Sequence, residues 1–160
     1  MEKNGGNLGG DDANIAKFSG PRFERYQQTK LANMVFTYAL VDKLAAANKS
    51  KIKVMVAHPG VSFTALGQNM TNSGDLKMPF LMKYLFPLMA QTPADGAIGI
   101  TKCCFDTEAK TGDFYGPGSG RSAYSGNVVA INPEDICTDE EAKKMLWELS
   151  ETAVGESFDV

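Results

Sequence analysis

The sequence has few of the residues from which metal centres and histidine-dependent catalytic sites are built. His58 is the single histidine among 160 residues, and it stands in a His-Pro-Gly turn where we expect a structural role. One histidine gives no basis for a zinc cluster or a serine–histidine pair. The three cysteines are odd in number and lack Cys-x-x-Cys spacing. We therefore expect reduced, mostly buried thiols in a cytoplasmic protein.

Strong charge imbalance and long hydrophobic runs are also absent. The formal net charge is -3 and 43% of the residues are hydrophobic, which indicates a soluble globular protein and argues against a nucleic-acid partner. The most apolar stretch, residues 78–89, is interrupted by Lys83 and Pro87. It is too short to span a membrane, so we expect no membrane span.

Strand signals are scarce as well. Residues 1–20 are rich in glycine, show no apolar periodicity and lack a signal-peptide pattern, so we expect a flexible lead-in there. Residues 21–160 would then form one α/β domain. Short apolar runs within it predict strands at 52–57 and 112–115, with a weaker signal at 128–131.

The clearest chemical signal is a tyrosine and a lysine four residues apart, Tyr26 and Lys30. The residues after them predict an amphipathic helix on which the two side chains would be neighbours, one turn apart. A phenol is a weak acid near neutral pH, and an adjacent cation favours its ionised form, so such a pair can act as an acid/base couple. The predicted helix has apolar residues at Leu31, Val35, Phe36, Ala39, Leu40 and Leu44.

The predicted strand at 52–57 leads into a second candidate site. Its apolar, β-branched character is typical of a parallel strand that is buried on both faces. It ends abruptly at Pro59-Gly60. In open parallel sheets, ligands bind just beyond the carboxyl ends of strands, so we expect chemistry at this turn.

These motifs together resemble the short-chain dehydrogenase/reductase family, and within it the retinol-dehydrogenase-like branch. The matching segments are residues 26–37, residues 58–61 with Thr64, and residues 144–151. The resemblance covers roughly residues 19–155. Three motifs in the same order are more specific than any one of them.

The resemblance implies an NAD(P)-dependent oxidoreductase that interconverts an alcohol and a carbonyl on a small apolar substrate, with NADP or NAD as cofactor. Tyr26 would be the catalytic acid/base. Lys30 would tune Tyr26 and bind the nicotinamide ribose, so both residues would also contact the cofactor. The other cofactor-binding residues that the resemblance implies are Pro59, Gly60, Val61 and Thr64. The apolar stretch 78–89 would form a substrate lid, although a short core helix or weak interfacial membrane contact also fits it.

Two family features have no counterpart in the sequence. Gly5–Gly10 follows no strand and precedes no apolar-periodic helix, so it does not match the pyrophosphate-binding turn of the family. The family also places a serine upstream of the tyrosine, whereas Ser19 lies too close to the helix to fill that role. The expected fold is therefore the C-terminal part of a Rossmann-type parallel sheet flanked by helices, with the N-terminal dinucleotide-binding half missing.

That expectation has consequences for the 160-residue chain. Without a pyrophosphate-binding turn, the isolated chain would be inactive and would not bind a dinucleotide measurably. An apolar strand that lacks a neighbour would favour self-association. The alternative is a non-catalytic fragment or pseudoenzyme that serves as an interaction or dimerisation module.

Two further helices are predicted downstream. Thr92-Pro93 has the pattern of a threonine cap followed by proline at the first helical position, with the helix continuing to about Phe105. Residues 138–141 predict a capping box with acidic charge at the start of a last helix. The predicted apolar stripe of that helix is Ala142, Met145, Leu146 and Leu149, with Trp147 off the stripe, where it could cover a neighbour.

Overall fold

The computed structural model describes residues 22–62, 90–118 and 125–160. The predicted lead-in at 1–20, the apolar stretch 78–89 and Thr64 lie outside the described residues. In chain order the elements are α1 (Arg22–Ala46), β1 (Val56–Ala57), α2 (Pro93–Phe105), β2 (Phe114–Pro117), β3 (Val128–Ala130), α3 (Asp135–Thr138) and α4 (Glu140–Val154). The fold class is α/β, with helices and a three-stranded sheet.

The chain divides into two compact units. The described part of the first unit is residues 22–53 and 133–160, which contain α1, α3 and α4. The described part of the second is residues 54–62, 90–118 and 125–132, which contain the sheet and α2.

The core of the first unit forms where α1 packs against α4. Val35 is fully buried and clusters with Ala142 and Leu146 of α4. Leu31 and Ala32 pack against this cluster and are partly buried. The predicted apolar stripe of α1 therefore faces a core, except that its Phe36 is 42% exposed. Burial of apolar side chains is the main source of stability for a helix of this kind.

The buried face of α4 is wider than the predicted stripe and shifted towards Trp147. Ala142 and Leu146 are buried as predicted and Trp147 is only 7% exposed, whereas Leu149 is 36% exposed, so the prediction for Leu149 is wrong. The indole stacks on Phe36 with the ring centroids 5.6 Å apart. The Lys43 ammonium lies 4.4 Å from the indole centroid, and the Phe158 ring packs at 5.7 Å. Aromatic and cation–π contacts thus decide which face is buried.

The start of α4 also differs by one residue from the prediction. The N-cap is Asp139, whose side chain accepts a hydrogen bond from the Ala142 amide at 2.8 Å. Thr138 instead closes α3, where its hydroxyl donates to the carbonyl oxygen of Asp135. Acidic residues do occupy the first turn of α4, as predicted. A carboxylate is a better partner than a hydroxyl for the positive end of the helix.

A buried lysine joins α4 to α1. The Lys143 ammonium is bonded to the carboxylates of Asp42 on α1 and Glu140 on its own helix. Burial alone would lower the pKa of Lys143, but the hydrogen bonds to these two carboxylates outweigh it and raise the pKa. The ammonium therefore stays charged, because a buried charge persists only with such partners.

The second unit contains a sheet with the strand order β1-β2-β3. β1 runs parallel to β2, with Val56 opposite Phe114 and Ala57 opposite Tyr115. β3 runs antiparallel to β2, so the prediction of a parallel sheet is right for one of these two pairs and wrong for the other. The connection from β2 to β3 spans residues 118–127. It is shorter than the roughly dozen residues that a parallel crossover needs.

The three predicted strands exist, but their bounds differ from the prediction. β1 begins at Val56 and not at Ile52, which is 52% exposed. Val54 precedes the strand, and its amide donates to the hydroxyl of Thr111 while its carbonyl oxygen accepts from the Gly112 amide, both at 2.8 Å. β2 is displaced by two residues, to Phe114–Pro117, and β3 ends at Ala130. Polar side chains at the ends of these runs make contacts that apolar periodicity does not reveal.

Helix α2 confirms its prediction from Pro93 to Phe105. Its N-cap is Thr92, whose hydroxyl oxygen accepts a hydrogen bond from the Asp95 amide at 3.1 Å. A Cβ atom placed on Gly99 would lie 3.2 Å from the Cβ of Ala57. The missing side chain therefore lets α2 lie close against β1.

The cysteines are less buried than the sequence predicts. All three cysteines are free thiols, but only Cys137 is buried, while Cys103 is half-buried and Cys104 is exposed. Burial raises the pKa of the Cys103 and Cys137 thiols.

No helix within the described ranges combines the length and apolar composition that crossing a membrane requires.

A tyrosine–aspartate pair fixes the start of β2. Tyr115 is 5% exposed, and its hydroxyl donates to the Asp113 carboxylate at 2.7 Å. This hydrogen bond, with a smaller effect of burial, raises the pKa of Tyr115 to about 12. The Lys110 amide, followed by the Tyr115 hydroxyl, lowers the pKa of Asp113. The contribution of Tyr115 to stability is thus complete below pH 10 and is lost as pH rises through about 12.

We expect Tyr115→Phe to lower the free energy of unfolding by about 1–2 kcal/mol at pH 7, because it removes one hydrogen bond to a partly solvated carboxylate. The variant should also lose part of the decline in stability above pH 10. Urea unfolding followed by circular dichroism at pH 7 and pH 11 measures both effects. Asp113→Asn is the control: it keeps an acceptor and should cost less. Equal stability of Tyr115→Phe and wild type would show that the bond contributes nothing.

Candidate functional site

Tyr26 and Lys30 are neighbours on α1 in the first unit, as predicted. The Lys30 Nζ lies 5.3 Å from the centroid of the Tyr26 ring. Tyr26 is half-buried and Lys30 is exposed. The helix continues without a break through both residues, and the Thr29 hydroxyl donates to the Tyr26 carbonyl oxygen at 2.7 Å.

The ammonium of Lys30 lies over the ring face of Tyr26, which is the favourable geometry for a cation–π contact. At an exposed site such a contact is worth about 0.5–1 kcal/mol. It holds a positive charge near the phenol while the three N–H groups of an ammonium can still bind other acceptors. The arrangement suits a phenol that donates a proton and is left as an anion beside a cation.

The second candidate segment, His58–Val61, leaves the carboxyl end of β1 in the second unit. The His58 amide donates to the Tyr115 carbonyl oxygen at 2.9 Å, which extends the pairing of β1 with β2 by one residue. Gly60 has a φ of 64°, in the left-handed region that favours glycine. The Gly60 amide donates to the Nδ1 atom of His58 at 2.9 Å. The imidazole thus forms a hydrogen bond within its own turn, to the amide two residues further along the chain.

Gln91 also forms hydrogen bonds to this turn. Its backbone amide donates to the Val61 carbonyl oxygen at 3.0 Å, and its side-chain amide donates to the Pro59 carbonyl oxygen. Its side-chain oxygen accepts from the Gly126 amide at 3.2 Å. The Ser62 hydroxyl also donates to the Pro59 carbonyl oxygen, at 3.2 Å. The turn is therefore held by hydrogen bonds from Gln91 and Ser62 as well as by the bond between Gly60 and His58.

Sequence reasoning missed Gln91, which belongs to no chemical motif. The available signal was its position directly before the Thr92-Pro93 cap. A helix fixes the backbone of the residue that directly precedes it. The side chain of that residue can therefore form hydrogen bonds that hold a neighbouring turn.

The imidazole of His58 sits against β2. A Cβ atom on Gly116 would lie 2.4 Å from its Cδ2 atom, so the ring fills the space above this glycine. The Phe114 ring centroid is 5.7 Å from that of the imidazole. Burial lowers the pKa of His58 from its ordinary value of 6.5. At neutral pH the ring is uncharged, with Nδ1 as acceptor and the proton on Nε2.

The structure thus brings together the predicted site residues in two groups. Tyr26 and Lys30 form one group on α1. Pro59, Gly60 and Val61 form the other, in the turn after β1.

Comparison with known proteins gives two relatives. Human retinol dehydrogenase 14 is 30% identical over 154 residues, which cover 94% of this chain and 40% of the human protein. Mouse retinol dehydrogenase 14 is 30% identical over 136 residues, which cover 81% of this chain and 35% of the mouse protein. The chain therefore spans less than half the length of either relative. No protein-family model and no solved structure matches it. The similarity to these two retinol dehydrogenases supports the resemblance to short-chain dehydrogenases/reductases that the sequence motifs predict.

Proposed function

We propose that these residues carry the catalytic Tyr26–Lys30 pair and the nicotinamide-side turn of a short-chain dehydrogenase/reductase of the retinol-dehydrogenase-like branch. The activity would be NAD(P)-dependent interconversion of an alcohol and a carbonyl. The observation that carries the proposal is the contact between the Lys30 ammonium and the Tyr26 ring. Similarity to two proteins named retinol dehydrogenase supports an apolar substrate.

The fold around the turn supports the same proposal. Among the elements that the structure describes, β1, α2 and β2 follow one another, and β1 is parallel to β2. This is the βαβ arrangement from which Rossmann-type sheets are built. The turn at Pro59–Val61 leaves the carboxyl end of β1, which is where ligands bind in such sheets. We therefore place the nicotinamide end of the cofactor beside this turn.

The chain's own groups have defined tasks in this reaction. The nicotinamide cofactor, when bound, supplies or accepts the hydride at the substrate carbon. In the reductive direction Tyr26 donates its hydroxyl proton to the substrate oxygen and becomes an anion. Lys30 stabilises that anion through its positive charge, and its exposed N–H groups fit the hydroxyl oxygens of a ribose. In the oxidative direction the same phenolate takes the proton back.

The test uses the full product of the reading frame that contains these residues, with retinal and shorter apolar aldehydes as substrates. We expect oxidation of NADPH or NADH, followed by the loss of absorbance at the cofactor band. Lys30→Ala should weaken cofactor binding and lower turnover together, because one side chain serves both tasks. Lys49→Ala is a matched control, since Lys49 is also an exposed lysine.

Two outcomes would overturn the proposal. The first is a folded protein that turns over none of the aldehydes, or the corresponding alcohols, with either cofactor. That result would favour the non-catalytic interaction module. The second is an active protein in which Lys30→Ala and Lys49→Ala behave alike.

A further inference from the structure

The turn after β1 depends on a hydrogen bond that only an uncharged imidazole can accept. The Gly60 amide donates to His58 Nδ1 at 2.9 Å. A protonated imidazole carries hydrogens on both ring nitrogens and has no acceptor. Protonation would therefore place an N–H group of the ring against the N–H group of Gly60, and the two would have to separate.

The ring has little freedom to turn away without losing its other contacts. It fills the space above Gly116, with Cδ2 and Nε2 at 2.4 and 2.8 Å from where a Cβ atom on that glycine would be. The His58 backbone is fixed to β2 through its bond to the Tyr115 carbonyl oxygen. Movement is left to the segment that follows, where Gly60 has the backbone freedom of a glycine at positive φ.

We propose that His58 is a positioning residue for the Pro59–Val61 turn: its neutral ring holds the Gly60 amide, and protonation releases this amide and loosens the turn. The inference rests on the contacts of the second unit. Its consequence for cofactor affinity rests in addition on the proposed function, which places the nicotinamide beside this turn.

The ionisable groups that face this turn, within the part of the chain that the structure describes, lie on α2 and near β2. Helix α2, which packs on the turn, carries Asp95 and Lys102 together with the Cys103 and Cys104 thiols. The neighbouring β2 carries Tyr115, and Asp113 precedes it. β3 has no ionisable side chain. The cause of the lowered pKa of His58 is burial of the ring.

Burial also sets the direction of the pH response. The neutral form of His58 is favoured in the folded protein, so its contribution to stability is complete above pH 6.5 and is lost as pH falls through the lower pKa of the folded state. The turn should be closed at neutral pH and should open below pH 6.5, as pH falls through the lowered pKa of the ring.

An asparagine at position 58 can test the hydrogen bond to the Gly60 amide, because its side chain does not titrate. Its side-chain oxygen can accept a hydrogen bond from the amide two residues on, which forms an Asx turn. His58→Asn should therefore keep the Gly60 amide bonded over the whole range from pH 7.5 to pH 5. His58→Ala has no acceptor and should leave the amide unbonded at every pH. Wild type should change from the first behaviour to the second.

The measurement is amide hydrogen exchange and chemical shift of Gly60 by nuclear magnetic resonance, with Gly112 and Gly155 as reporters for the rest of each unit. In wild type, we expect the Gly60 shift to follow the titration of the His58 ring. The proposal is overturned if Gly60 is insensitive to pH, or if His58→Asn still titrates. Should His58→Ala fail to fold, the wild-type titration and His58→Asn decide the question without it.

A separate NADPH titration of the full product of the reading frame distinguishes this inference from the proposed function. Cofactor affinity in wild type should fall by several-fold between pH 7.5 and pH 5, while that of His58→Asn should fall less. If Gly60 follows the ring but both proteins bind NADPH alike, the positioning role stands and the placement of the cofactor beside the turn fails.

Discussion

In the full product of the reading frame, replacement of Tyr26 by phenylalanine is expected to reduce turnover by about 10²–10⁴-fold, the usual contribution of a positioned proton donor. Phenylalanine keeps the ring and therefore the face on which the Lys30 ammonium lies. It removes only the hydroxyl that would exchange a proton with the substrate. Cofactor affinity should stay within a few-fold of wild type, because the ribose contact proposed for Lys30 remains.

Tyr38→Phe is the matched control for this experiment. Tyr38 lies on the same helix but is 8% exposed and faces the core of the first unit. Its loss of a hydroxyl should change stability while leaving turnover close to wild type. Steady-state rates combined with cofactor titration separate the proton transfer from binding. Near-normal turnover in Tyr26→Phe would remove Tyr26 from the chemistry, and equal losses in the two variants would point to folding as the cause.

The sequence allowed good prediction where local chemistry decides the structure. The Thr92-Pro93 start of α2 was readable because an N-cap and a proline at the first position act within a few residues. The neighbourhood of Tyr26 and Lys30 was readable because helical spacing alone brings residues four apart together.

Prediction failed where distant parts of the chain compete for a surface. Leu149 has the correct spacing for the apolar stripe of α4, but Trp147 is buried instead because Phe36, Lys43 and Phe158 surround its ring. These partners come from α1 and from the segment after α4. Their contact depends on how the helices pack, and the periodicity of one helix carries no information about it.

The same distinction applies to the candidate site. The His58-Pro59-Gly60 motif marks a turn in the sequence, but the bond from the Gly60 amide to the imidazole appears only in three dimensions. Gln91 lies far from this motif in the chain and supports it through two hydrogen bonds, to the carbonyl oxygens of Pro59 and Val61. The sequence could therefore indicate the position of the turn, while the contacts that hold it depended on the fold.

Gly116→Ala should disrupt the turn by displacing the His58 ring. The added methyl group would lie 2.4 Å from Cδ2 and 2.8 Å from Nε2 of His58, closer than such atoms can approach. The imidazole must then move, and the bond from the Gly60 amide to its Nδ1 is lost with it. We expect a loss of about 1–3 kcal/mol in the free energy of unfolding, the usual cost of overpacking. The Gly60 amide should also exchange as it does in His58→Ala.

A double-mutant cycle with His58→Ala isolates this clash. With the imidazole gone, the methyl group at position 116 has room, so Gly116→Ala should cost much less in the His58→Ala background than in wild type. The coupling between the two changes should reach about 1–2 kcal/mol, within the range of contacting residues. Urea unfolding of the four proteins at pH 7.5 gives this value. Additive losses would mean that Gly116→Ala acts on β2 itself and that the ring of His58 does not fill the space above the glycine.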